Sequence, residues 1–328
     1  MRSAISSMSA RDQILDLKRR IAAAVIGQEA VVDLLLVALL ADGHLLMEGL
    51  PGLAKTRTIK TLAKNLESEF RRIQFTPDLL PSDITGTEIY TGEGAGGTFR
   101  FQPGPIFGNL ILADEINRAP AKAQAALLEA MEERQVTSGG KTNPLPELFL
   151  VLATQNPIEQ EGTYPLPEAQ MDRFLLHVFI GYPTDENEAK ILRLIRGEEA
   201  GTMPSTEGKI PAQAVLSARA EVHAVKVSEA LEAYYVAIVA ATRRPGDYQG
   251  DLKKWIQYGA SPRGTLALDR ASRARAWLEG RDHVLPEDVH AVIHPCLRHR
   301  LILRYEANAE GITRDAVVDE IVKLVALP

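Results

Sequence analysis

Gly49-Leu50-Pro51-Gly52-Leu53-Ala54-Lys55-Thr56 follows the apolar run Leu45-Leu46-Met47 and precedes Ile59, Leu62, Ala63 and Leu66 at helical spacing. A strand therefore runs into a glycine loop, and the loop opens a helix. In such a loop successive backbone N–H groups and the positive end of the helix point at one place, where a polyphosphate can sit. Lys55 is placed to reach the outer phosphates, and the Thr56 hydroxyl to ligate Mg²⁺. Ala54 stands where the phosphate-loop pattern expects a second glycine. Its methyl group is tolerated in helical backbone and strained at positive φ. A surface turn would explain the octapeptide alone, but the flanking strand and helix and the residues downstream favour nucleotide binding.

The chain has 328 residues, long for one compact core, and two domains are expected. With 45% hydrophobic and 24% charged residues it has the composition of an ordinary soluble globular protein. The longest apolar run, Val31 to Ala41, is interrupted by Asp33 and is too short to span a bilayer. Met1 to Arg11 holds no hydrophobic block before a cleavage site, so no export signal is expected. The single cysteine, Cys296, allows no internal disulfide and suits a reducing cytoplasm. A net charge of -6 argues against an extended nucleic-acid surface, though it leaves room for a local basic channel.

Arg11 to Ala24 reads as an amphipathic helix and Val31 to Leu40 as a strongly apolar one. Phe70 to Phe75 is a strand, followed by a proline-punctuated connection from Thr76 to Asp83. Between Gly86 and Gly108 the alternation predicts a β-hairpin. Its tip, Gly92 to Gly97, formally matches GxGxxG, but a strand rather than a helix follows, so the tip is a turn. Leu110 to Ala113 is a buried parallel strand ending in Asp114-Glu115, and Ala121 to Glu133 a helix. A second hairpin is expected over 135–146, where Gly140-Lys141-Thr142 imitates the end of a phosphate loop and is read as a turn. Leu148 to Ala153 and Phe174 to Ile180 complete five short apolar strands alternating with helices, an α/β sandwich on a parallel sheet. Past Pro183 the character changes. A helix over Asp185 to Arg196 leads to a polar linker, Ala200 to Pro211, and a brief strand at Val222 to Val227. Helices follow at Ser228 to Arg243, Pro262 to Leu278, Pro286 to His299 and Thr313 to Val325.

Asp114 and Glu115 sit at the carboxyl end of a strand, where open α/β sheets bind ligands. Two acids behind four apolar residues are costly to desolvate without a nearby cation, and Mg²⁺ supplies one. Asp114 is suited to hold that ion through its water shell, and Glu115 to orient and deprotonate an attacking water. A helix N-cap explains one of these carboxylates but not both. Asn156 ends the adjacent strand, where an amide could report the γ-phosphate; a turn residue before Pro157 explains it equally well. Arg173 is of the type that neutralises charge on a transferring phosphoryl group, with a surface Arg–Asp pair as the alternative. Arg263 lies in the first turn of a helix capped by Ser261, where a cation calls for a compensating anion. Arg118 is a further candidate. His290 and His294 lie four apart near Cys296, but the glutamate of a zinc-hydrolase motif is missing, which favours helix packing or surface exposure over a metal site.

In order, Val25-Ile26-Gly27-Gln28, Gly49 to Thr56, Asp78 to Gly86, Ala113 to Pro120, Ala153 to Pro157, Leu166 to Phe174 and Gly259 to Arg263 resemble the motifs of the MoxR family of AAA+ ATPases. They span nearly the whole chain, and Ala54 is compatible with that family. The resemblance implies an α/β fold, a P-loop αβα sandwich with a five-stranded parallel sheet and hairpin inserts, followed by a mostly α-helical lid. It divides the chain into a nucleotide-binding core, 1–182, and a linker and lid, 183–328. The hairpin at about 86–108 would be an insert in the core's second helix, and that at about 135–146 would precede sensor 1.

Val25, Ile26 and Gly27 then join Gly49 to Thr56 and Asp114 in holding ATP, with Thr56 and Asp114 on Mg²⁺. Asn156 matches sensor 1, Arg263 sensor 2, and Arg173 the arginine finger offered to a neighbouring subunit. Gln74 is a candidate restraint on Glu115 when no cargo is engaged. Relatives form rings, usually hexamers, and act as chaperone-like remodellers in metal insertion or complex maturation. The implied partners are further copies of the chain, a separate protein with a von Willebrand factor A domain, and a client protein complex. Two rivals share the site: a nucleic-acid motor, against which the acidic charge counts, and a non-hydrolysing scaffold, against which the full set of catalytic residues counts.

Overall fold

A computed structural model describes residues 8–50, 52–53, 55–91, 98–157, 162–201 and 208–327. The tip Gly92 to Gly97, together with Pro51 and Ala54, lies outside them. In α1 (Ala10–Ala24) Ile14, Leu17 and Ile21 recur on one face and are fully buried, and Ser9 caps the helix by accepting the amide of Asp12. α2 (Glu29–Leu40) is apolar almost all round and correspondingly buried.

β1 (Leu45–Gly49) leads through the glycine loop into α3 (Lys55–Asn65), which buries Thr58, Ile59, Leu62 and Ala63. β2 (Phe70–Gln74) and the short α4 (Pro81–Thr85) come next. β3 (Gly86–Thr91) and β4 (Thr98–Pro103) pair antiparallel as the expected first hairpin. After β5 (Leu110–Asp114) and α5 (Ala121–Glu133), β6 (Gln135–Ser138) and β7 (Lys141–Pro144) form the second. Its turn residues Gly139 and Gly140 both have positive φ, as a tight hairpin turn demands. β8 (Leu150–Gln155), α6 (Glu168–Met171), β9 (Leu176–Ile180) and α7 (Asp185–Glu199) follow.

One five-stranded sheet has the order β2-β5-β8-β1-β9. The pairs β2–β5, β5–β8 and β8–β1 are parallel, with Gln74 opposite Asp114, Ala113 opposite Ala153, and Met47 opposite Thr154. The strand ends that carry the loop, the two acids and Asn156 therefore come to one edge of the sheet. Burial of β5 and of β8 through Thr154 explains why both read as continuous apolar runs.

After the stretch read as a linker, Ala200 to Pro211, the chain forms α8 (Ala212–His223), whose end takes up the start of the brief strand predicted at Val222 to Val227. Val215, Ala218 and Val222 recur on its buried face, and Lys226 makes only a single bridge, to His283. α9 (Glu229–Arg243), α10 (Leu252–Trp255), β10 (Ile256–Tyr258), α11 (Pro262–Leu278) and α12 (Pro286–Leu297) come next, then β11 (Ile302–Leu303), α13 (Tyr305–Ala309) and α14 (Arg314–Leu324). β10 and β11 pair antiparallel, a strand pair the sequence does not announce.

The chain divides into two compact units. One comprises Met1–Asp33, His44–Leu166 and Phe179–Leu216, the other Leu34–Gly43, Pro167–Val178 and Ser217–Pro328. No helix among the described residues is long and apolar enough to cross a membrane.

The first hairpin stands on a neck made by two glycines. Gly86 has φ +96°, and a Cβ there would lie 2.2 Å from the Gln102 carbonyl oxygen and 2.5 Å from the Gly104 amide nitrogen. A Cβ on Gly104 would lie 2.3 Å from the Ile84 carbonyl oxygen. Backbone meets backbone here, so only glycine fits.

Candidate active site

Gly49 ends β1 where a side chain cannot go, since a Cβ would stand 2.7 Å from the Ile180 carbonyl oxygen. Gly52 follows at φ +84°, in the region open to glycine. Lys55 and Thr56 open α3. The Lys55 ammonium donates to the Gly49 carbonyl and, at 3.2 Å, to the Gln155 carbonyl. It thus spans the carboxyl ends of the neighbouring strands β1 and β8.

The residue before Gln155 holds both acids. The Thr154 hydroxyl donates to Asp114 Oδ1 at 2.7 Å and accepts the Glu115 amide at 2.9 Å. Asp114 is 8% exposed, and its Oδ2 accepts from Arg72 Nη2 at 2.6 Å and Nε at 3.1 Å. Two residues along β2, on the same face, Gln74 Nε2 donates to Glu115 Oε2 at 2.9 Å. Gln74 Oε1 in turn accepts from Arg72 Nη2 at 2.6 Å. Arg118, the further cationic candidate, sits 3.2 Å from the same Glu115 oxygen. Glu115 takes a left-handed backbone, φ 57° and ψ 50°. A non-glycine residue pays about 1–2 kcal/mol for that, a strain typical of functional positions. The left-handed turn separates the two side chains, one engaged by Arg72 and Thr154, the other by Gln74 and Arg118. Thr154 falls within the motif stretch Ala153 to Pro157 with no role assigned to it there, and Arg72 carries no sequence signal, because an arginine on an exposed strand is common.

A cavity of about 800 Å³ adjoins the loop, lined by Val25, Ile26, Gly52, Leu53, Lys55 and Thr56 among others. The far wall comes from Tyr182, Pro183 and the Ile191, Leu192 and Ile195 positions of α7. No residue of α7 is buried, because its apolar side faces this space. Gly27, at φ +74°, is packed so closely on Asn187 of α7 that a Cβ would lie 2.5 Å from its side-chain nitrogen. Arg57 ties the wall in place, donating to the Ala24 carbonyl at 2.7 Å and gripping Glu198 with both terminal nitrogens. An apolar slot of this size beside a glycine loop has the character of a small-molecule pocket.

Asn156, 5% exposed, directly follows β8 beside this edge. Arg173 and Arg263 belong to the other compact unit. There the first-turn position of Arg263 is met by the Asp172 carboxylate at 3.7 Å, an anion supplied by the chain itself. The histidine pair takes separate partners, His290 the Tyr234 hydroxyl at 3.0 Å and His294 the Asp319 carboxylate at 2.8 Å. Cys296 is fully buried, which pushes its thiol up to about 12. These residues pack a helix, as expected.

A profile of the ATPase family associated with various cellular activities (AAA) matches residues 44–176, and one of the AAA lid domain matches residues 252–321. Chaperone MoxR1 of Mycobacterium tuberculosis is 48% identical over 306 residues, which cover 93% of this chain and 79% of that protein. The chain belongs to the MoxR family of AAA+ ATPases. MoxR-type likeness extends to YeaC of Bacillus subtilis, 45% identical over 304 residues covering 93% of this chain and 91% of that one. A crystal structure of a Cytophaga hutchinsonii protein assigned as an ATPase superposes with a TM-score of 0.88 at 46% identity, covering 97% of this chain and 96% of that one. As a MoxR-family member the protein binds nucleotide and hydrolyses ATP, on a P-loop α/β core followed by a helical lid.

Proposed function

We propose that this ATPase is a chaperone-like remodeller that uses Mg²⁺ and hydrolyses ATP between copies of itself arranged in a ring, hexameric as is usual among its relatives. The observation that carries the reading is the convergence on Thr154. The loop lysine, itself part of the lining of the cavity of about 800 Å³, reaches the carbonyl next to it, while the Thr154 hydroxyl holds both acids. Residues 1–182 act as the core and 183–328 as linker and lid, a division supported by the two family profiles falling on either side of it.

Val25, Ile26 and Gly27 hold the base, and Gly49 to Thr56 the phosphates. Mg²⁺ fits the donors present, since the Thr56 hydroxyl and the Asp114 carboxylate are hard oxygens. Both Asp114 oxygens already accept protein hydrogen bonds, which suits holding the ion through its water shell. The ion would neutralise charge on the terminal phosphates. Glu115 takes a proton from water as the water oxygen attacks the γ-phosphorus. The bond from γ-phosphorus to the bridging oxygen breaks, and that oxygen leaves with ADP. Asn156 and Arg263 sense the γ-phosphate within the subunit, and Arg173 completes a neighbour's site. The Gln74–Glu115 hydrogen bond supports a restrained state that client engagement releases.

The hairpins pass the motion to a client complex, in cooperation with a separate protein carrying a von Willebrand factor A domain. Metal insertion or complex maturation in the cytoplasm is the proposed setting, and the chaperone-like role agrees with the name of the M. tuberculosis relative, Chaperone MoxR1. Glu115→Gln tests the reading: it should retain ATP binding and lose phosphate release. Unchanged turnover would remove Glu115 from its role. The same variant held in ATP should retain clients during affinity capture.

A further inference from the structure

Arg300 is an arginine with every donor used. Its side chain is 2% exposed, and its Nε donates to Asp172 Oδ1 at 2.9 Å. Nη1 donates to the carbonyls of Leu175, at 3.2 Å, and Cys296. Nη2 donates to the carbonyls of Asp172, at 3.2 Å, and Phe174, at 2.7 Å. Five N–H groups thus meet five acceptors. Three of those acceptors are main-chain carbonyls at 172, 174 and 175, on both sides of Arg173. His299 adds a hydrogen bond to the Phe174 carbonyl at 3.0 Å.

The Asp172 carboxylate links this clamp to the start of α11. Its Oδ2 accepts the Ser261 hydroxyl at 2.7 Å and lies 3.7 Å from Arg263 Nη1. Besides this clamp the segment has its own short turn, α6, the His299 hydrogen bond and the burial of Phe174 and Leu175 to fix it. Burying a guanidinium is costly unless its whole fork is matched, and here the match is to the backbone of one particular segment.

We propose that Arg300 and Asp172 are positioning residues for Arg173, fixing the segment that presents it on the helix start that carries Arg263. The proposal rests on the role given above to Arg173 at a neighbour's site. Loss of the clamp leaves Lys55, Thr56, Asp114 and Glu115 of the subunit's own site untouched and misdirects the arginine it offers. A displacement of about 1 Å in such a group costs on the order of 10²-fold in rate.

The test uses full-length protein and mixed assemblies verified by native mass spectrometry. Asp172→Asn alone should lower phosphate release about 10- to 100-fold, with the Kd for a fluorescent ATP analogue changed by less than about twofold. Mixed with Glu115→Gln subunits, it should recover turnover, because some interfaces pair an intact Glu115 with an intact clamp. A merely structural defect would not be rescued this way. Arg173→Ala mixed with Glu115→Gln runs alongside. If that control recovers and Asp172→Asn does not, the clamp proposal is wrong. If neither recovers, Arg173 does not act on a neighbour and the clamp proposal goes with it. Should Asp172→Asn fail to fold, Ser261→Gly replaces it. Glycine is nearly as good a helix cap, so that change removes little beyond the bond to Asp172. The same rescue is expected from a smaller loss, and its absence overturns the proposal.

Discussion

The hydroxyl of Thr154 stands 2.7 Å from Asp114 Oδ1 while accepting the amide of Glu115. One buried side chain therefore sets the spacing of the two acids. Thr154→Val keeps the shape and leaves both groups without that partner, a cost of about 1–3 kcal/mol in stability. Phosphate release should fall at least about tenfold with it. Thr154→Ser should restore both. Thermal unfolding and phosphate release measure the two effects, and an active Val variant would show that the hydroxyl does not matter.

Gln74 holds Glu115 at 2.9 Å. Gln74→Leu removes the amide at similar volume and leaves Arg118 as the partner of that oxygen, so Glu115 is more easily released. Unstimulated turnover should rise about tenfold, the worth of one hydrogen bond to a charged group at about 1.5 kcal/mol. The check is phosphate release without client. A fall would mean that Gln74 orients Glu115 productively instead of restraining it.

Burial holds the pKa of His299 well below its ordinary value of 6.5. The neutral ring donates to the Phe174 carbonyl at 3.0 Å. Below the ordinary value the unfolded chain takes up a proton that the native state refuses. The contribution to stability is thus present above that pH and lost as pH falls, at about 1.4 kcal/mol per pH unit. His299→Gln should flatten this part of the profile. Unfolding midpoints at about pH 7.5 and about pH 5.5 for both proteins provide the comparison.

Gly86→Ala places a methyl group against the Gln102 carbonyl at positive φ. Backbone has to move, so the first hairpin should shift on its base. Nucleotide binding should persist while client-stimulated turnover is lost. Equal stimulation in the variant would show that the hairpin's setting is not used.

Much of this architecture could be read in advance because its strands are unambiguous. Leu110-Ile111-Leu112-Ala113 reads as a buried strand and is one, which puts Asp114-Glu115 at its carboxyl end, the side on which open α/β sheets bind ligands. α8 is hard to read from sequence because alanine and polar residues dilute its pattern, although Val215, Ala218 and Val222 do recur at helical spacing. Val222 and Val225 suggest a strand through their β-branched side chains, but Val222 lies within the last turn of α8, and the bridge from Lys226 to His283 is isolated. The clamp on Asp172 joins residues 128 apart in sequence, and no local periodicity encodes that. Likewise Arg72 looks like a solvent-facing strand residue until β5 is placed beside it, with Asp114 within reach of its guanidinium.

α7 has apolar residues on one side and none of them buried, since they look into the cavity beside the loop. A purine lying there would supply the contacts that protein atoms leave unmade, so cargo and scaffold share one hydrophobic interior. Occupancy should then appear as slowed amide exchange along α7, making this helix a natural reporter of whether a subunit is loaded.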